Sequence, residues 1–152
     1  KGPRSDWVRL GIAMYGINTV PGSSFALEPV MELKSQIFDV KNVKKGESVG
    51  YGCTARVSRD SRVGIVALGY ADGYPRNAMG CSVSVDGRLT KTLGVISMDM
   101  LAVDITELQN SGLGSQVELW GKHIHVSEVA KHARTIPYEL LCNVNRVSFL
   151  SA

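Results

Sequence analysis

From Ser48 onward the apolar residues fall in short runs with turn formers close behind each one: Ser48–Thr54, Arg62–Leu68, Cys81–Val85, Arg88–Leu93, Leu101–Ile105, Gln116–Leu119 and Lys122–Val126. Connections this short restrict the fold more than any other feature. Neighbouring strands can be joined by a two-residue turn only if they run antiparallel, whereas a parallel pair needs a crossover of a dozen or more residues. The pair Asp86–Gly87 stands between two such runs, and a type I′ turn requires positive φ at both central positions, which Asp and Gly tolerate. Gly121–Lys122 is a weaker signal of the same kind. Val30–Val40 alternates loosely, with Met31, Leu33 and Ile37 on one face and Glu32, Lys34 and Gln36 on the other, as in a half-exposed antiparallel strand. Many short strands in series predict a mainly β fold, an antiparallel sandwich or a small, partly open barrel. Two brief helices follow, one capped by Ser127 and running to about Ala133, the other with Pro137 early in it and ending near Cys142.

The beginning of the chain has a different texture. Trp7–Tyr15 is almost continuously apolar, the pattern of a parallel strand covered on both faces. NTVPGSS (Asn18–Ser24) after it is a loop and linker. The first residue is Lys and the apolar run starts almost at once, so the chain reads as the back half of something longer. The shift near Pro21 separates the tail of an α/β unit, residues 1–20, from a β-rich domain, residues 21–152.

Composition narrows the classes of function. Of the 152 residues, 44% are hydrophobic and 20% charged, within the range of an ordinary globular domain. A net charge of +3 with scattered Lys and Arg offers no footprint for nucleic acid. No apolar run approaches the roughly 20 residues of a membrane span. Cys53, Cys81 and Cys142 are odd in number and lack CxxC spacing, which predicts reduced thiols in a cytoplasmic protein. His123 and His125 fall on one face of an expected strand; two imidazoles without a third ligand are read as a solvated face and not as a metal site.

Chemistry concentrates between Val49 and Met100. VGYG (Val49–Gly52), ALGYADGYPR (Ala67–Arg76) and GVISMDM (Gly94–Met100) put Tyr51, Tyr70 and Met98 in or beside glycine-bounded turns at the ends of apolar runs. Reactive side chains are commonly carried on such loops. Together with VRLGIAMYG and IPYELLC, in this order from Asp6–Trp7 to Arg146, these motifs resemble the C-terminal part of the fold-type III, pyridoxal-phosphate-dependent alanine racemases. Under that resemblance residues 1–20 are the end of the cofactor-binding (β/α)8 barrel domain and its linker, with Trp7–Tyr15 its last strand. Residues 21–152 are then the C-terminal β-domain.

The resemblance assigns roles residue by residue. Tyr51 matches the tyrosine that exchanges the substrate's α-proton on one face of the cofactor. A phenol titrates near ~10, so its phenolate needs a cation or donors that this sequence does not supply beside it. Met98 matches a position whose backbone N–H holds the substrate carboxylate, and Tyr70 lines the inner entrance nearby. Arg9 matches the arginine facing the pyridine nitrogen. A guanidinium only donates, which leaves that nitrogen unprotonated and favours racemisation over transamination. Gly11 and Ile12 match the amides that approach the phosphate, Tyr138 a phosphate-contacting tyrosine, and Arg76 and Ile136 outer entrance positions. No lysine here matches the one that anchors pyridoxal phosphate.

The implied partners are the chain's own barrel domain, a second copy in a head-to-tail homodimer and a small amino acid substrate. Tyr51, Tyr70 and Met98 would serve the partner's cofactor, whereas Arg9 and Tyr138 would serve their own. Nucleic acid and membrane are not among these partners. Many relatives carry arginine where this chain has Val95, which predicts a less charged entrance and leaves substrate range open. The alternatives are a serine or broad-specificity racemase and a stand-alone β-domain acting as a binding module.

Overall fold

The computed structural model describes residues 6–20, 22 and 25–144. Pro21, Ser23 and Ser24 of the expected linker, and Arg146 at the end of the motif series, lie outside them. The ordered elements are strands β1 (Leu33–Val43), β2 (Ser48–Val49), β3 (Ala55–Arg56), β4 (Ser61–Val66), β5 (Ser82–Val85), β6 (Arg88–Leu93), β7 (Leu101–Asp104) and β8 (Gln116–Trp120), then helices α1 (Val126–His132) and α2 (Pro137–Asn143). Six strands close into an antiparallel barrel in the order β1-β4-β7-β6-β5-β8, and β2 and β3 form a separate two-stranded ribbon. The expected mainly β antiparallel fold is present, and of the sandwich and small barrel it allowed the structure is the barrel, fully closed. Closure follows from the length of β1, whose first half pairs with β8 and whose second half pairs with β4, with a register shift in each ladder. One long, bulged strand thus joins what would otherwise be two sheet edges.

Alternation along β5 and β8 sends Val83, Val85, Val117 and Leu119 to the barrel interior, all fully buried. The opposite face of the same two strands is buried as well. Ser84, Glu118 and Trp120 lie there, under the segment that leads into α1, and the Trp120 ring stacks on Tyr74 with centroids 6.0 Å apart. The ribbon covers a second face, where Val49 and Val57 pack on Val63 of β4 and Ala102 of β7. Helices and ribbon are thus held on the outside of the barrel by separate apolar clusters, and the loops that connect them carry the motifs.

Three expectations are corrected. Trp7–Leu10 has no regular structure, and Gly11–Tyr15 is a 3-10 turn in place of the expected strand. A parallel strand exists only by pairing with neighbours, and among the described residues none lies beside it; Trp7, Val8 and Met14 remain exposed. The run Ser48–Thr54 breaks after Val49, because Gly50 adopts φ 81, ψ 177 and a 3-10 turn, Tyr51–Cys53, follows. Lys122–Val126 is not a strand either. Glu118 accepts hydrogen bonds from the N–H groups of His123 and Ile124, at 2.6 and 3.2 Å, and folds that segment back on β8. The Asp86–Gly87 turn forms with φ 50 and 80, and α1 and α2 lie where the helices were expected, with His125 in place of Ser127 as the cap of α1.

Candidate functional site

Two glycine contacts set the position of the Tyr51 loop. Gly50 and Gly94 meet backbone to backbone: a Cβ on Gly50 would lie 3.1 Å from Gly94 Cα, and one on Gly94 would lie 2.6 Å from the Val49 carbonyl oxygen. Both have positive φ, so glycine is required for conformation as well as for space. The contact ties the VGYG loop to the strand end that leads into GVISMDM and leaves the Tyr51 side chain 69% exposed.

The Tyr70 loop is fixed from the other side. Asp72 Oδ2 accepts the Gly69 N–H at 2.9 Å, closing a capped 3-10 turn over Tyr70–Asp72. The turn then docks on the next motif, with Tyr70 N–H to the Ser97 carbonyl at 3.0 Å and Ala71 N–H to the Met98 carbonyl at 2.9 Å. A trans peptide points its C=O and N–H in opposite directions. With the Ser97 carbonyl committed to Tyr70, the Met98 N–H is directed away from this turn, and it makes no hydrogen bond among the described residues. Tyr51, Tyr70, Arg76 and Met98 line one cleft of about 350 Å³. Two phenols and a guanidinium line this cleft beside one carboxylate, Asp99, a set of polar groups of both charges that suits a small polar molecule.

The remaining predicted residues lie elsewhere. Gly11, Ile12 and Tyr138 line another cleft, of about 300 Å³, together with Tyr15, Leu141 and Cys142. The first N–H groups of the Gly11–Tyr15 turn precede any acceptor within it, and a Cβ added at Gly11 would meet nothing within 4 Å, so the backbone there can be approached closely. Arg9 and Ile136 are exposed but line neither cleft. The two clefts share no lining residue. The sequence-predicted residues thus fall into one group around Tyr51 and another around Tyr138, with no complete site in either.

Several contributors were not foreseen. Asp72 could have been read from its place three residues after Gly69, the spacing of a capping box. Tyr74, in the same motif, is 1% exposed. Burial, with the neighbouring Cys81 thiol adding to it, pushes its phenol far above the usual tyrosine range, so this tyrosine keeps its proton and cannot share the acid–base role expected of Tyr51. His123 and His125 are taken up in local structure. The His123 ring bonds Glu118 at 2.7 Å, and His125 accepts the Ser127 N–H at 3.3 Å as the cap of α1. Among the described residues no three His, Cys, Asp or Glu side chains converge as a metal site would require. No helix among them is long and apolar enough to cross a membrane.

A closed antiparallel barrel with two separate clefts among its loops and helices defines a small β-barrel domain. Residues 30–149 match the family described as alanine racemase, C-terminal domain, and the chain belongs to that family. It is 52% identical over 147 residues to the alanine racemase of Pseudomonas syringae pv. syringae, covering 94% of this chain and 41% of that protein. The alanine racemase of Aromatoleum aromaticum is 50% identical over 145 residues, with 95% and 41% covered. Among solved structures, the biosynthetic alanine racemase of Pseudomonas aeruginosa superposes with a TM-score of 0.81 at 45% identity, over 89% of this chain and 39% of that one. The alanine racemase of Bartonella henselae with covalently bound pyridoxal phosphate gives 0.83 at 32% identity, over 90% and 38%. The chain therefore spans about two fifths of the length of these curated relatives.

Proposed function

We propose that the protein to which this chain belongs interconverts L- and D-alanine with pyridoxal phosphate, and that the chain supplies one of two bases and the substrate's carboxylate site. The observation that carries the reading is the one cleft that Tyr51, Tyr70 and Met98 line together, with the Met98 N–H left without an acceptor among the described residues. On this reading residues 1–20 belong with the preceding barrel domain and residues 21–152 form the C-terminal domain.

The donor set of the Tyr138 cleft fits the phosphate end of the cofactor. It offers the amides of Gly11 and Ile12 with space before them, and a half-exposed phenol. Arg9 would face the ring nitrogen. When bound, pyridoxal phosphate draws electrons from the α-carbon of the amino acid it carries and so acidifies the α-hydrogen. Within this chain the Met98 N–H and the Tyr70 hydroxyl orient the substrate carboxylate, and Tyr51 Oη takes the α-proton on one face or returns it there. The base on the opposite face is a lysine outside this chain. For that reason the 152-residue chain alone neither holds the cofactor tightly nor racemises alanine. The clefts share no residue, and a two-fold homodimer that brings the Tyr51 cleft of one copy to the Tyr138 cleft of the other would complete both sites.

In the full-length protein, Tyr51→Phe is expected to lower kcat by at least about 10²-fold, the usual worth of a general base, with the absorbance of bound cofactor unchanged. Activity equal to wild type would remove Tyr51 from the role. Val95, in place of the arginine many relatives carry, favours one second reading, a racemase of broader specificity. Comparing serine with alanine as substrates of the full-length protein tests it.

A further inference from the structure

The Tyr138 cleft is made of two pieces far apart in the chain, the Gly11–Tyr15 turn and the side of α2 that presents Tyr138, Leu141 and Cys142. Helix α1 joins them. It packs against α2, and at its start His125 Nε2 lies 3.3 Å from the carbonyl oxygen of Gly16, the residue that ends the turn. The half-buried ring therefore holds two elements at once, since its Nδ1 accepts the Ser127 N–H at 3.3 Å. Those contacts fix the tautomer. A ring nitrogen that accepts carries no proton, so the hydrogen of the neutral ring is on Nε2, where it donates to the Gly16 carbonyl. Ile12 and Ile17 also seat the turn, through the main core, but apolar burial is non-directional and sets where the turn lies without aiming its peptide groups. That aim comes from hydrogen bonds, here the one from His125 and a longer one from the Val30 N–H to the Tyr15 carbonyl at 3.4 Å. Gly16 itself is pressed against the Glu28 carbonyl, into which a Cβ would run. Asparagine, aspartate, serine and threonine are the favoured caps of a helix start. What histidine adds to a cap is a second polar atom further from the backbone, and the turn is what that atom reaches.

We propose that His125 is a positioning residue for the cofactor's phosphate: by tying Gly16 to the start of α1 it holds the Gly11 and Ile12 amides in place opposite Tyr138. His125 does not line the cleft and acts through the turn. The proposal rests on the reading of the Tyr138 cleft as the phosphate end of the cofactor site, and adds to it a residue on another element that sets the geometry of the amides.

The test separates the two ring nitrogens, in the full-length protein freed of cofactor. His125→Asn keeps an acceptor for the Ser127 N–H and is too short to reach Gly16. His125→Gln places an amide N–H near the Nε2 position and gives up the cap. Pyridoxal phosphate and pyridoxal are each titrated into the protein and followed by absorbance, and the thermal midpoint is measured without either. His125→Asn is expected to bind pyridoxal phosphate roughly fivefold more weakly than wild type, the worth of one ordinary hydrogen bond, with its affinity for pyridoxal unmoved. His125→Gln is expected to bind pyridoxal phosphate as wild type does, while its midpoint falls below that of His125→Asn through loss of the cap. Equal affinity for pyridoxal phosphate in wild type and His125→Asn, an equal loss for pyridoxal, or affinities that follow the midpoints across the variants overturns the proposal. A wild-type protein that binds pyridoxal phosphate no more tightly than pyridoxal removes the reading of the Tyr138 cleft itself, and the role of His125 with it.

Discussion

Gly69→Ala isolates the contact on which the candidate site depends. Gly69 has φ −142, ψ −160, extended backbone that alanine adopts freely, so any effect arises from the added methyl group. That carbon would lie 2.3 Å from the Met98 carbonyl oxygen and 2.4 Å from the Ser97 carbonyl oxygen. Both are backbone atoms with no rotamer to yield, so ordinary contact requires the two loops to part by about 1 Å. The hydrogen bonds from Tyr70 and Ala71 to those carbonyls stretch with them; each contributes about 1 kcal/mol, and overpacking adds about 1–3 kcal/mol. A loss of about 3–5 kcal/mol is expected in total. The Met98 N–H moves with its loop, while Tyr51 stays on the Gly50–Gly94 contact. A 1 Å misplacement of a positioning group costs on the order of 10² in rate, so on the proposed function kcat/KM of the full-length protein for alanine should fall by about that factor alongside a lower thermal midpoint. Gly46→Ala is the control. It has φ 87 and nothing within 4 Å of a built Cβ, so it should cost only the about 1–2 kcal/mol of a left-handed alanine and leave kcat/KM alone. Wild-type kinetics and midpoint in Gly69→Ala, or equal kinetic damage in Gly46→Ala, would refute the reasoning.

Burial pushes the Glu118 carboxyl up, but hydrogen bonds from the His123 ring and from the His123 and Ile124 N–H groups outweigh it and hold the carboxyl below its usual range. A carboxyl depressed in the folded state stabilises fully above the ordinary glutamate value of ~4.3 and loses that contribution as pH falls through the lower folded value. Glu118→Gln should therefore destabilise at pH 7 by about 1–3 kcal/mol, and the gap to wild type in denaturant titrations should close on acidification; a gap constant from pH 7 to 3 would contradict the assignment. The Tyr74 hydroxyl faces only the Cys81 thiol and finds no stronger partner, so Tyr74→Phe should be neutral or stabilising, whereas Tyr74→Ala, which empties the space under Trp120, should cost about 3–5 kcal/mol in thermal or urea unfolding. If the clefts are completed across a dimer, mixing and reassociating Tyr51→Phe and Arg9→Ala protomers, each weak alone, should restore one intact site per mixed dimer, up to about half of wild-type activity per mixed dimer. Additive residual activities would place both residues in the same subunit's site.

What could be read from the sequence, and what could not, follows from the range of the forces involved. β6 and the Asp86–Gly87 turn form where expected because a type I′ hairpin is decided by a few adjacent residues. The helices are similarly local, each with a start signal within a turn of its first residue. Closure of the barrel is not local; it depends on β1 pairing along its length with both β8 and β4, strands whose partners lie up to 87 positions apart in the Leu33–Trp120 pair. Lys122–Val126 carries strand-like alternation, yet a buried carboxylate on β8 claims its N–H groups, and one charge-assisted network outweighs a weak periodic preference.

Trp7–Tyr15 failed as a strand for the opposite reason. Its apolar pattern is that of a covered strand, but no strand lies beside it among the described residues, and without one the pattern cannot specify a ladder. The same logic governs the site. The glycines, Tyr51, Tyr70 and Met98 could be located in the sequence because close backbone approach admits few residue types. Their chemistry could not be completed from it, because no cation or donor that would stabilise a Tyr51 phenolate stands beside it in the sequence. Tyr51 stands 69% exposed on a loop held in place by two glycines. On the proposed function the Tyr51 cleft holds a base and the carboxylate site while the Tyr138 cleft takes the cofactor's phosphate, and with no residue common to the two reaction would follow only after assembly.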